Sequence, residues 1–173
     1  EYGRVKGADF SKVSKLAYNR GKNQIGTLGS GNHYLEIQTI DKIYDENVAK
    51  QWKLGTEKNQ ICIMLHCGSR GFGHQICTDY LSNFSNAMSR YGIKIPDLQL
   101  ACAPVNSQEG QDYLKAMNCG INFAFVNRQL ITYQIRNAFE KVFNQSAENL
   151  EMDIIYDVSH NTAKIEEHKL GNE

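Results

Sequence analysis

An α+β fold, with antiparallel or mixed strands and packed helices, is what this sequence predicts. Three observations carry that expectation. Strand-like runs occur at 33–40, 61–65 and 152–158. Two longer stretches, 74–90 and one running to about Phe143, repeat apolar residues at helical spacing. The two kinds of segment do not alternate as clean strand–helix–strand units, which disfavours a doubly wound parallel sheet.

Taken in order, residues 1–24 are polar, with a short helix expected around Ser11–Tyr18. Gly26-Thr27-Leu28-Gly29-Ser30-Gly31 is a flexible loop by composition. In "HYLEIQTI" (33–40), Leu35 and Ile37 alternate with Glu36 and Gln38, the pattern of a half-buried strand. Residues 41–59 are mixed and expected to be partly helical. "ICIML" (61–65) is a continuous apolar run, which suits a strand covered on both faces. Ile76, Tyr80, Phe84, Ala87 and Tyr91 mark the first long helix, closed by Gly92. Pro96 and Pro104 bracket a loop. Asn106 followed by Glu109 fits a capping box for the second long helix, with Tyr113, Met117, Ile121, Val126 and Leu130 as expected core positions. Gly120 weakens that helix and marks a break or a close contact. "MDIIYDV" (152–158) reads as a third strand.

The length of 173 residues suits one domain. A formal net charge of zero means that any phosphate site must be local. Five cysteines without a C-x-x-C pair argue for reduced thiols in an intracellular compartment. Glu1-Tyr2-Gly3-Arg4 does not resemble a signal peptide, and no apolar run approaches the length of a membrane span. The polar ends, without an initiating Met, suggest a piece of something longer.

His33, His66 and His160 sit at the ends of the three expected strands. A sheet can bring such ends together, and neutral imidazole is a common ligand for divalent metals. Each is equally readable as a structural histidine. His74 and His168 look structural. "GTLGSGNH" and "GSRGFGH" expose backbone N–H groups but lack the Walker pattern, so a plain turn competes with a phosphate cradle. Arg70, between glycines, has the forked guanidinium suited to phosphate, or to a surface ion pair. Asn32 and Asn161 stand next to candidate ligands and could orient a phosphate, make a supporting hydrogen bond or cap a turn. A regular strand points Glu36 away from His33. The sequence lacks G-x-S-x-G and the spacing of a zinc finger, which disfavours both a serine nucleophile and a finger.

Four stretches, "GTLGSGNHYLEIQ" (26–38), "HCGSRGFGHQ" (66–75), "EGQDYLKAM" (109–117) with "NFAFVNR" (122–128), and "DVSHNTAKIEEH" (157–168), together resemble the RtcB family of RNA-splicing ligases. "LACAPVNSQEGQDYLKAMN" (100–118) and "IIYDVSHN" (154–161) look closer to its eukaryotic and archaeal branch. The resemblance implies a ligase dependent on GTP and Mn²⁺, with two ions per full-length site. Such enzymes join RNA ends carrying a 2′,3′-cyclic phosphate or 3′-phosphate to 5′-hydroxyl ends through a histidine–GMP adduct, as in tRNA splicing.

It also implies His33, His66 and His160 as manganese ligands. Asn32, His33, Tyr34, Leu35, Glu36, His160 and Asn161 become GMP contacts, and Arg20 and Arg70 become RNA-phosphate contacts. tRNA exon halves, ligase-complex subunits and an archease-like activator are the implied partners, in nucleus and cytoplasm if the source is eukaryotic. The family's Asp-x-x-Cys stretch is absent here, as is its guanylylated histidine. The chain is therefore expected to be one domain, 1–173, from the central part of the ligase and inactive alone. The alternative is a non-catalytic module that binds metal and RNA phosphate; a metal-dependent hydrolase is disfavoured because no carboxylate is placed as a base.

Overall fold

The computed structural model describes residues 4–55 and 59–171. Four α-helices and two strands follow one another as α1 (Lys15–Gly21), β1 (Tyr34–Thr39), α2 (Glu46–Gln51), β2 (Ile61–His66), α3 (Arg70–Tyr91) and α4 (Gln108–Phe143). Short 3-10 turns cover Phe10–Lys12 and Leu98–Leu100. The mixture is α+β, as expected. None of the helices among the described residues is long and apolar enough to cross a membrane.

The helices form the packed part. Ser14 starts α1, its hydroxyl accepting the Ala17 N–H at 3.0 Å. The expected helix at Ser11–Tyr18 is thus a 3-10 turn followed by α1. Helix α3 begins four residues earlier than its apolar repeat and ends where Gly92, at φ +64°, takes the left-handed cap. Helix α4 has 36 residues, about 54 Å at 1.5 Å per residue. Its cap is Ser107, which accepts from Gly110 N, and not Asn106. Phe72, Ile76, Tyr80 and Phe84 on α3 pack with Ala17 on α1 and Ala116 on α4. Phe72 stacks on Phe123 with ring centroids 5.1 Å apart. Gly120 marks a close contact: a Cβ there would lie 3.6 Å from the Gly73 Cα, and α4 runs on unbroken.

The buried face of α4 differs from the expected one. Val126 and Leu130 are exposed, whereas Ala116, Gly120, Ile121, Ala124, Asn127, Arg128 and Ile131 are buried. The apolar repeat missed this because two positions on the inner face are polar.

Strands β1 and β2 pair antiparallel in register Tyr34↔His66 through Thr39↔Ile61. Their long connection carries α2, which is what remains of the helix expected within 41–59; residues 56–58 lie outside the described ones. Expected burial fails on both strands. Leu35 and Ile37 are 41% and 64% exposed, and Ile61 and Met64 on β2 are also exposed. With two strands, the described sheet has little laid over its faces. The third expected strand, 152–158, has no regular secondary structure and no ladder partner among the described residues. β-branched composition supplies propensity, but a strand exists only when a neighbouring strand takes its hydrogen bonds.

Candidate functional site

Antiparallel register decides where the histidines go. Pairing Tyr34 with His66 puts the start of β1 beside the end of β2, so His33 and His66 share one end of the hairpin. Their ring centroids are 5.9 Å apart. His160 reaches the same place from the segment after α4, its ring 4.8 Å from that of His66 and its Nε2 3.0 Å from the His66 Nε2. The His160 Nδ1 meets the side-chain oxygen of Asn161, which sits in the left-handed region at φ +57°. With the Nδ1–H donating to that oxygen, the His160 Nε2 keeps its lone pair towards His66.

Two imidazole nitrogens that bind one ion at right angles, each about 2.1 Å from it, stand about 3.0 Å from one another. The His66–His160 pair fits that requirement. His33 stands differently. Its Nδ1 lies 3.3 Å from Arg70 Nη1, and a guanidinium only donates, so that lone pair is engaged. Burial, then the charge of Arg70, hold the His33 imidazolium below its ordinary range, which keeps the ring neutral. Among the described residues, no group of three or more His, Cys, Asp or Glu side chains closes around one point. The three histidines are neighbours, but not a three-ligand set.

Arg70 is the first residue of α3 and sits at φ +55°, a conformation that costs a side-chain-bearing residue about 1–2 kcal/mol. Its Nε donates to Thr27 Oγ1 at 3.2 Å. Gly29, at φ +103°, makes this possible: a Cβ there would fall 1.9 Å from Arg70 Nη1 and 2.6 Å from His33 Nδ1. Arg20 lies alongside, its Nη1 donating to Gln75 Oε1 at 2.6 Å and approaching His74 Nδ1 at 3.5 Å. A Cβ added at Gly71 would be 3.4 Å from Arg20 Nε, so both guanidinium-bearing side chains border the turn after His66.

The remaining expected contacts are spread along β1. Asn32 and Leu35 are exposed. Tyr34 lies edge-on to His66, with ring centroids 5.5 Å apart. Glu36 is exposed and accepts from Gln38 Nε2 at 2.6 Å, away from the histidines. His74 caps no metal cluster, and His168 meets Glu166 at 3.0 Å. All five cysteines are free thiols. Burial pushes the Cys67 thiol up, so it is protonated at neutral pH.

Compared with known proteins, residues 1–173 match the family model described as tRNA-splicing ligase RtcB. Over 97% of its length the chain is 59% identical to the tRNA-splicing ligase RtcB of Methanococcus maripaludis, spanning 35% of that protein. It is 56% identical to the protein of that name from Methanocaldococcus jannaschii over 97% of the chain, spanning 17% of the relative. To that of Archaeoglobus fulgidus it is 52% identical over 98% of the chain and 35% of the relative. The chain thus covers about a third or less of the length of these curated relatives. A match from first residue to last, through the histidine loops and both long helices, places the chain in the RtcB family.

Proposed function

We propose that this chain is the central, metal- and phosphate-binding portion of an RNA ligase that joins 2′,3′-cyclic-phosphate or 3′-phosphate ends to 5′-hydroxyl ends. The observation that carries the reading is the meeting of His66 and His160, with Nε2 atoms 3.0 Å apart, beside the guanidinium of Arg70. His66 and His160 hold one divalent ion, Mn²⁺ in this reading, and His33 serves a second. The ion supplies Lewis acidity and charge neutralisation at a phosphate. Asn161 fixes the His160 tautomer. Arg20 and Arg70 bind RNA phosphate oxygens, and an Arg70 drawn to phosphate frees the Nδ1 lone pair of His33. Asn32, His33, Tyr34, Leu35 and Glu36, with His160 and Asn161, border the guanine nucleotide.

The wider family reading goes with this. It includes GTP as the nucleotide, a histidine–GMP adduct, tRNA exon halves as substrates, ligase-complex subunits and an archease-like activator as partners, and an intracellular setting, nuclear and cytoplasmic in a eukaryote. The chain contains neither the family's Asp-x-x-Cys stretch nor its guanylylated histidine. Alone, it binds and does not ligate.

Calorimetric titration of the chain with Mn²⁺ tests the reading. Binding is expected in the wild type, with a loss of about tenfold or more in His66→Ala, since one of two facing ligands is gone. Equal affinity in the two proteins would refute the ligand assignment. A ligated RNA product from the purified chain would refute the claim that it only binds.

A further inference from the structure

Asn127 and Arg128 end the stretch "NFAFVNR" on α4, and nothing above gives them a role. Asn127 is the largest fully buried side chain, at 0% exposure. Its Oδ1 accepts from Gly26 N at 2.6 Å and Thr27 N at 3.1 Å. Its Nδ2 donates to the carbonyls of Thr27 and Gly68, both at 3.1 Å, and touches Cys67 Sγ at 3.3 Å. One amide therefore ties the loop before His33 to the turn after His66.

The next residue does the same for the third segment. Arg128, 8% exposed, donates from Nε to Asp157 Oδ1 at 2.5 Å and from Nη1 to the Cys67 carbonyl at 3.4 Å. Asp157 lies three residues before His160. Adjacent residues of one long helix thus tie the turn after His66 to the segments that lead into His33 and His160. Buried polar groups are costly unless fully bonded, so an apolar residue would serve a helix face as well or better. Asn127 instead uses its whole amide on loops, and Arg128 spends Nε and Nη1 on them while its buried Nη2 has no partner in the described structure.

We propose that Asn127 and Arg128 are positioning residues: they bring the chain segments around His33, His66 and His160 together, and so raise the divalent-cation affinity of the His66–His160 pair without touching the ion. This rests on the reading that the histidines bind such a cation. Hydrogen bonds made directly to metal-ligating side chains are commonly worth 10- to 100-fold in metal affinity, and these two act on the segments that carry such side chains.

The test uses the full chain with Arg128→Lys, Asn127→Asp and Asp157→Asn. Lysine keeps the charge but loses the fork that spans Asp157 and the Cys67 carbonyl. Aspartate keeps the shape of Asn127 but turns a carboxylate oxygen against two carbonyls. Asp157→Asn weakens the same ion pair from its other end, so the proposal stays testable if Asn127→Asp fails to fold.

The first readout is the nuclear Overhauser contact between the His66 and His160 rings, with no metal added. The wild type is expected to show it, and each variant to lose or weaken it while helical circular dichroism is unchanged. The second readout is Mn²⁺ titration, with affinity expected to fall about 10- to 100-fold in the variants. Arg128→Lys and Asp157→Asn together should cost no more than Arg128→Lys alone, because the Arg128–Asp157 contact is common to both.

An absent ring contact in the wild type overturns the proposal. So does a contact that persists, with unchanged affinity, in folded Arg128→Lys and Asp157→Asn. If His66→Ala binds Mn²⁺ as the wild type does, the cation reading fails, while loss of the ring contact in Arg128→Lys still upholds the positioning role.

Discussion

Phe72, in the first turn of α3, is 5% exposed, while Ile37, in the middle of β1, is 64% exposed. The two residues stand for two regions held by different means. Around Phe72, three helices bury a continuous apolar cluster of Ala17, Ile76, Tyr80, Phe84 and Ala116. Around Ile37, the hairpin has its own ladder and little else laid over it. The histidine loops lie between these regions and are fastened by polar side chains of α4. The helical region has apolar area to hold it, while the histidine end depends on a few directional bonds. Such bonds are weak in sum but exact in placement, which a ligand site needs more than bulk stability.

Removing the ring of Phe72 attacks the first region directly. Phe72→Ala is expected to destabilise the chain by about 3–5 kcal/mol, because the neighbouring helices cannot close over so large a void. Chemical denaturation followed by circular dichroism reads this, and a loss below about 1 kcal/mol would mean that the cluster is not the core.

A smaller effect separates burial from hydrogen bonding in the same region. The Tyr80 hydroxyl donates to the Lys12 carbonyl at 2.9 Å. Burial, helped by Asp112 and Asp79, pushes this phenol up to about 12. The unfolded phenol titrates near 10, so above that pH the unfolded state releases a proton that the folded state retains. Stability is therefore full below about pH 10 and is lost as pH rises towards 12. Tyr80→Phe should cost about 1 kcal/mol at neutral pH and flatten this alkaline decline. An unchanged decline in the variant would assign it to other groups.

Smallest of all is the expected effect of Ile37→Thr. An exposed strand position that exchanges one β-branched residue for another should move stability by no more than about 0.5 kcal/mol. A larger loss in thermal unfolding would show that the open face of the sheet is covered in solution, and the contrast between the two regions would shrink.

Much of this division was legible in the residues. Helices α3 and α4 announced themselves through long apolar repeats, and Gly92 marked a stop, because helix periodicity is a local property. The strands at 34–39 and 61–66 were visible for the same reason. What covers them was not: alternation in "HYLEIQTI" records a preference for a half-buried surface, while actual burial depends on other parts of the fold. The run at 152–158 shows the same gap between propensity and pairing.

At the site, the placement of His33 and His66 at strand ends was readable, and so was the crowding of Arg70 by glycines, whereas His160 follows a segment that forms no strand among the described residues. Asn127 and Arg128 escaped notice because their partners lie up to 101 residues away. A signal did exist: Ala116, Gly120, Ala124 and Ile131 define the inner face of α4, and Asn127 falls on it at helical spacing. A polar residue on an otherwise small and apolar face asks for a bonded partner.

The reach of Asn127 bears on how the molecule assembles. Each helix forms on contacts within its own few turns, whereas Asn127 closes a circuit of 101 residues to Gly26 and of 59 to Gly68. Loop-closure entropy must be met before such contacts can reward it, so they are suited to forming once the helices themselves exist. Run backwards, the same order lets the histidine end open while the helices persist. In such an open form the histidine-bearing segments part, and any partner that needs them together draws the chain back to the closed one.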